Sequence, residues 1–270
     1  MRLGLIGVGN IARTLVRLMR DTGLAPAHLA VLVRPGREEA ARAALSQVFD
    51  GPLAVVSDAA ALLAEQPDLV VECAGHAAVA AYGPAVLRAG VDLVQVSVGA
   101  MADARLAAEL RQAAEAGGAR IVLPAGAVGG IDLLSALAPA GNLAVTYRGI
   151  KPPRAWAGTP AEAALDLDSV TESTVFFRGT AREAAREYPK NANVAATLAL
   201  AGAGFEATQV ELVADPAAPG NLHAYEVRSD VANVRMEIEN LPSAGNAKTS
   251  VSTVYSVLRE IRNRMNPVVI

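Results

Sequence analysis

The stretch RLGLIGVGNIA, residues 2–12, decides the fold. A short apolar run, Leu3 to Gly7, ends in two glycines with one residue between them, and the small residue Ala12 follows three positions after Gly9. The run is strand-like, the segment from Ile11 onward carries helical spacing, and the pattern between them is G-x-G-x-x-A. In such a turn the first glycine permits the tight bend. The second removes a Cβ so that a pyrophosphate can approach the backbone, and the small third residue lets helix and strand pack closely. The N–H groups at the helix start, at Asn10 and Ile11, then face the phosphates. A purely structural tight turn is the other reading of Gly7 and Gly9, and context decides between the two.

That context is a repeating βα unit. Apolar runs at Leu3–Gly7, Leu29–Val33, Leu53–Val56, Leu69–Glu72, Leu93–Val96 and Arg120–Leu123 alternate with helical patterns at Ile11–Asp21, Glu38–Val48, Asp58–Glu65, Ala77–Ala89 and Asp103–Ala116. Strands apolar on both faces, each followed by a helix, describe a parallel sheet covered on both sides, and right-handed crossovers make it doubly wound. Asp58 and Asp103 stand where N-caps belong, and glycines at 90 and 117–118 close helices. After about residue 128 the period changes. Runs such as VTYRG, TVFFRG, TQVELVAD, LHAYEVRS and NVRMEIEN alternate apolar and polar residues, as strands of an antiparallel sheet with one wet face do. The expected fold is therefore α/β: a doubly wound Rossmann domain over residues 1–127 and a second, α+β domain over 128–245 built on a largely antiparallel sheet. A last helix within 246–270, with Val251, Val254, Leu258 and Ile261 on one stripe, is expected to pack back on the first domain.

Composition narrows the function classes. A net charge of −3 with no basic run gives no footprint for nucleic acid. The single cysteine, Cys73, leaves no disulfide framework and no Cys-based zinc site, and no cluster of acids and histidines has metal spacing, so no metal is expected. No apolar stretch reaches the ~20 residues that span a bilayer, and the opening residues are too short and wrongly flanked for a signal peptide. A soluble cytoplasmic protein is the expectation.

Ligands of open α/β sheets bind at the carboxyl edge. There the fourth strand delivers Glu72, Cys73, Ala74, Gly75 and His76, so Ala74 and Gly75 join the expected dinucleotide contacts, and His76 reads as a cap of the next helix. At the end of the second strand an NAD-specific site usually carries an acid for the ribose 2′-hydroxyl. VLVRPGRE instead has Arg34 and Arg37, and an arginine there can hold a 2′-phosphate; two solvated surface arginines are the alternative. NAD and NADP both remain open. His223, in PGNLHAYEV, shares the apolar face of its strand with Tyr225 and Val227. It is either a satisfied core histidine or a base lining a pocket.

Longer blocks carry a more specific signal. VECAGHAAVAAYGPAVLRAGVDLVQVSVGA, LPAGAVGGIDLLSALA, KPPRAWAGTPAE, YPKNANVAATLALAG, LVADPAAPGNLH and NAKTS, in this order over nearly the whole chain, resemble the L-aspartate dehydrogenase family. The resemblance implies a homodimer that oxidises L-aspartate with NAD or NADP to iminoaspartate, which yields oxaloacetate and ammonia, and an imine that feeds NAD biosynthesis. It places the family's active-site histidine on His223 and cofactor contacts on Ala127 and Asn193. Helix capping by Asn191 or Asn193 is the plain alternative for the latter. Lys190, Thr249 and Ser250, with Lys151 and Lys248, are candidates by residue type for the substrate carboxylates, against surface lysines and N-capping as the bland readings. Two rivals stand beside this one. A Rossmann dehydrogenase for another small amino or hydroxy acid is the first; its sugar-type members would show Glu-Lys-Pro after the fifth strand, where this chain has SVGA at 97–100. A non-catalytic nicotinamide-dinucleotide sensor is the second.

Overall fold

The computed structural model describes residues 1–243 and 246–269, with the side chains of residue 190 and residues 242–249 outside the description. The described chain forms two compact units. One comprises Met1–Pro124 together with the chain from Val254 onward, and the other Ala125–Thr253.

The first unit holds a six-stranded sheet of β1 (Arg2–Ile6), β2 (His28–Leu32), β3 (Leu53–Val56), β4 (Leu69–Glu72), β5 (Leu93–Gln95) and β6 (Ile121–Val122), in the order β3-β2-β1-β4-β5-β6. Every pairing is parallel. The order reverses between β1 and β4, which makes the sheet doubly wound, with its switch point at the glycine turn. Its helices are α1 (Asn10–Asp21), α2 (Glu38–Leu45), α3 (Ala59–Ala64), α4 (His76–Arg88) and α5 (Ala104–Gly117). The Asp58 and Asp103 side chains cap α3 and α5, and Gly118, at φ +65°, closes α5. The second helix ends at Leu45, short of the expected Val48. Leu3, Leu5, Leu15, Leu29, Val31 and Leu69 form the core, joined by Val254, Val257, Leu258 and Ile261 of the last helix. No described helix is long and apolar enough to cross a membrane.

In the second unit α6 (Ile131–Leu137), β7 (Ala144–Lys151), α7 (Ala161–Ala164), β8 (Thr174–Thr180), α8 (Ala181–Glu187), α9 (Asn193–Ala201), β9 (Gln209–Ala214), β10 (Asn221–Arg228) and β11 (Asn233–Asn240) follow in sequence. The five strands form a sheet in the order β11-β10-β7-β9-β8. Its pairings are antiparallel except for β7 with β9, which run parallel because α7, β8, α8 and α9 intervene and return the chain in the same direction. A capping box between Thr180 and Glu183 starts α8. The short helices α6 and α7 have no counterpart in the periodicity, since seven and four residues are too few to display it. The backbone of β12 (Pro242–Ser243) pairs with β13 (Asn246–Ser250), which leads into α10 (Val251–Met265).

Packing of α4 against α5 depends on glycine. A Cβ on Gly117 would lie 2.0 Å from the Leu87 carbonyl oxygen, and one on Gly83 would lie 2.9 Å from Leu110 Cδ2. The first neighbour is backbone and cannot yield, so Gly117→Ala is expected to destabilise the protein by roughly 1–3 kcal/mol, the range for overpacking. Denaturant unfolding checks this, and a wild-type midpoint for the variant would show that the two helices can separate at no cost.

Candidate active site

At the carboxyl ends of β1, β2 and β4 the first unit has a cavity of about 860 Å³, lined among others by Gly7, Gly9, Arg34 and Ala74. Gly7 sits at φ +93°, and a Cβ on it would come within 2.8 Å of the Ala74 Cβ, so glycine alone allows the turn to press against that loop. At Gly9 an added Cβ would meet nothing nearer than the Cys73 carbonyl oxygen at 4.0 Å. The missing side chain thus leaves bare backbone facing open space, where a pyrophosphate fits. Gly9 is also the N-cap of α1, so no side chain occupies the helix start. Asn10 and Ile11 open α1, and Gly75, at φ +114°, precedes α4; these three border the cavity rather than line it. The residues present fit a dinucleotide.

Glu72 organises this edge. Its side chain is completely buried, and Oε1 accepts from the backbone N–H groups of Ala74 and Gly75, both at 2.7 Å, and from Ser97 Oγ at 3.0 Å, while Oε2 accepts from Ser97 N at 3.0 Å. One carboxylate therefore ties together the loops that follow β4 and β5. Burial, and then the neighbouring Glu72, push the Cys73 thiol well up, so it stays protonated. His76 is the first residue of α4 and Gly75 its N-cap, so the expected histidine cap is not formed.

The second unit gathers a different set. His223 on β10 pairs with Gly149 on β7, which puts His223 on the sheet face shared by Tyr147, Gly149 and Lys151. The imidazole is buried, and its Nδ1 lies 2.7 Å from the Tyr147 hydroxyl. Gly149 makes the room: a Cβ there would sit 2.8 Å from the Tyr147 hydroxyl oxygen. Half-buried Lys151 lays its ammonium over the ring of Trp156, 4.6 Å from the centroid, and donates to Asn191 Oδ1. Trp156 itself is fully buried, with its indole N–H donating to the Val213 carbonyl. The loop bearing Ala127 is tied to this sheet twice. Asn240 Nδ2 donates to the Ala127 carbonyl at 2.9 Å, and the Tyr225 hydroxyl donates to the Gly129 carbonyl at 2.7 Å.

Burial, reinforced by the Lys151 cation, pushes the His223 pKa down to about 4, so the imidazole is neutral at pH 7. Burial lowers Lys151 to about 8, which leaves it mostly charged at neutral pH, and raises the Tyr147 phenol beyond its usual range. A neutral imidazole beside a cation, on a stiff strand, can accept a proton and stand next to a bound anion.

Of the residues singled out in the sequence, Gly7, Gly9, Arg34 and Ala74 meet at one cavity of the first unit. His223 and Ala127 lie within the second unit, as does Asn193, the first residue of α9. Neither Asn191 nor Asn193 caps that helix: Ala192 holds the N-cap position, and Asn191 accepts from Lys151 instead. Ser250 is buried at the end of β13, and the side chains of Lys190, Lys248 and Thr249 lie outside the described residues. Tyr147 was missed by the sequence reading, and Lys151 was assigned by residue type alone. The available signal was the alternation Tyr147, Gly149, Lys151, an aromatic, a gap and a cation on one strand face. Among the described residues no group of three or more His, Cys, Asp and Glu could hold a metal.

Two family models match the chain. Residues 7–124 match the family model described as homoserine dehydrogenase, NAD binding domain, and residues 132–264 match aspartate dehydrogenase, C-terminal. The chain is 47% identical to an L-aspartate dehydrogenase of Ruegeria pomeroyi, over 98% of this chain and 92% of that one. It is 44% identical to L-aspartate dehydrogenase 2 of Bordetella bronchiseptica, over 98% and 97%. The crystal structure of aspartate dehydrogenase from Thermotoga maritima superimposes with a TM-score of 0.78 at 30% identity, covering 100% of this chain and 99% of that one.

The depressed His223 pKa has a stability consequence. Folded His223 takes its proton near pH 4, whereas the unfolded residue does so near ~6.5. Between those values the unfolded chain binds more protons, so stability falls as pH drops through this window. Denaturant midpoints from pH 7 to 4 should decline less steeply in His223→Asn than in the wild type; parallel curves would mean that the ring takes its proton at the same pH folded and unfolded.

Proposed function

The chain belongs to the L-aspartate dehydrogenase family, and we propose that it oxidises L-aspartate to iminoaspartate with NAD or NADP, water then releasing oxaloacetate and ammonia, in a reversible reaction. The observation that carries the mechanism is the buried neutral imidazole of His223 against Tyr147 and near Lys151. A bound nicotinamide would supply the hydride acceptor for the substrate Cα. The glycine turn and the start of α1 hold its pyrophosphate, and Ala127 and Asn193 are the contacts we assign to its nicotinamide end.

The remaining chemistry is proton transfer and charge holding. Water attacking the imine carbon must lose a proton, and His223 takes it at Nε2. For Nε2 to present a lone pair, Nδ1 carries the ring proton and donates it in a hydrogen bond to the Tyr147 oxygen; the raised phenol pKa keeps that partner neutral. Lys151, charged at neutral pH, pairs with a substrate carboxylate and adds to burial in keeping the imidazole unprotonated. Lys190, Thr249 and Ser250 complete the carboxylate ligands in this proposal. The family resemblance further supports a homodimer acting in the cytoplasm and an imine product drawn into NAD biosynthesis.

Three measurements check this reading. Reduced nicotinamide should appear when L-aspartate is added to enzyme and oxidised cofactor, whereas a sensor would bind cofactor without turnover. His223→Ala should lower kcat by roughly 10²-fold or more with cofactor affinity unchanged, and Tyr147→Phe should lower it about tenfold, the worth of one hydrogen bond; near-normal turnover in His223→Ala would remove the base. Inhibition by succinate should weaken as pH rises through about 8, where Lys151 loses its proton, and this dependence should vanish in Lys151→Met. A flat wild-type profile would place Lys151 outside the carboxylate site.

A further inference from the structure

We propose that the cavity of the first unit is built for a dinucleotide carrying a 2′-phosphate, so that this chain prefers NADP to NAD. This rests on the dinucleotide reading of the cavity and goes beyond it by choosing between the two cofactors.

The lining of the cavity contains three cationic side chains, Arg13, Arg34 and Arg37, and no aspartate or glutamate. Arg13 reaches it from the first turn of α1, while Arg34 and Arg37 come from the segment that follows β2 and leads into α2. All three are exposed, and none has a carboxylate partner among the described ion pairs. The acids nearest in sequence, Glu38 and Glu39, occupy the first turn of α2 and do not line the cavity.

Position gives these charges their meaning. In a doubly wound sheet the adenosine ribose lies beyond the carboxyl end of the second strand, and an acid there accepts from its two hydroxyls. Here β2 ends at Leu32, and the next residues are Val33, Arg34, Pro35, Gly36 and Arg37. The backbone folds into a tight turn, with Gly36 at φ +80° and Arg37 N donating to the Arg34 carbonyl at 3.1 Å. That turn brings the two arginines, three residues apart, to the same cavity. A ribose 2′-hydroxyl would find no carboxylate to accept from it. A 2′-phosphate, with a charge near −1.5 to −2 at neutral pH, would meet planar guanidinium groups able to bond it through paired N–H donors. With three cations and no acid facing the ligand, attraction to the doubly charged group exceeds anything offered to a neutral hydroxyl. The small walls formed by Ala40, Ala41, Ala77 and Ala81 leave space for the adenine that carries it.

Fragment binding tests this without turnover. Calorimetric titration of the whole protein with 2′,5′-ADP and with 5′-ADP, at low ionic strength and without substrate, should show the 2′-phosphorylated fragment binding at least about tenfold tighter. Arg34→Ala should cost most of that preference, and Arg34→Ala with Arg37→Ala should abolish it while leaving 5′-ADP affinity within about twofold. Both residues are exposed, so the variants should melt with the wild type. Equal wild-type affinities, or a preference that survives in the double variant, would overturn the 2′-phosphate site while leaving the dinucleotide reading intact. Failure of both fragments to bind would overturn the dinucleotide reading and this inference with it.

Discussion

The hydrogen bond between Tyr147 and His223 is the constraint around which the second unit is arranged. An imidazole in a sheet interior is tolerated only if it is neutral and partnered. Three features meet that condition. Strand register puts His223 across from Gly149, the missing side chain of Gly149 gives the phenol its position, and Lys151, two residues further on, opposes protonation of the ring. Tyr225, one position along the same face, reaches the Gly129 carbonyl and fixes the loop that carries Ala127. Stability and chemistry therefore ask for the same state of the ring. The neutral form is the one the fold can bury and the one that can accept a proton.

The first unit follows a parallel logic with backbone in place of a base. Gly7 and Gly9 strip side chains from the point where the strand turns into α1, and the buried Glu72 holds the facing loops with four hydrogen bonds. The result is a turn of bare backbone at a helix start, held in place by internal hydrogen bonds and suited to an anion. The chain belongs to the L-aspartate dehydrogenase family, and in the function proposed above the turn would hold the hydride acceptor while the imidazole would take the proton released on hydrolysis.

The fold was legible where a residue's environment is set by its neighbours in sequence. Strands buried on both faces, the caps at Asp58 and Asp103, and the glycine turn announce the parallel sheet through local pattern alone. The parallel pair of β7 with β9 was not legible, because it depends on the path of four intervening elements. The site divides in the same way. His223 showed its inward face by alternation, yet its partner Tyr147 is 76 residues away and meets it only through register. Lys151 resembled a surface lysine until Trp156 and Asn191 closed around it. The amides near α9 looked like caps because Asn commonly caps, but the helix begins one residue too late for Asn191 and one too early for Asn193.

The state of the His223 ring is the central claim, and nitrogen-15 NMR of histidine-labelled protein reads it directly, with His223→Asn identifying its signals among the three histidines. At pH 7, without substrate, the ring should be neutral with its proton on Nδ1 and an unprotonated Nε2, and it should acquire charge only near pH 4. A ring charged at pH 7, or one carrying its proton on Nε2, would contradict the account.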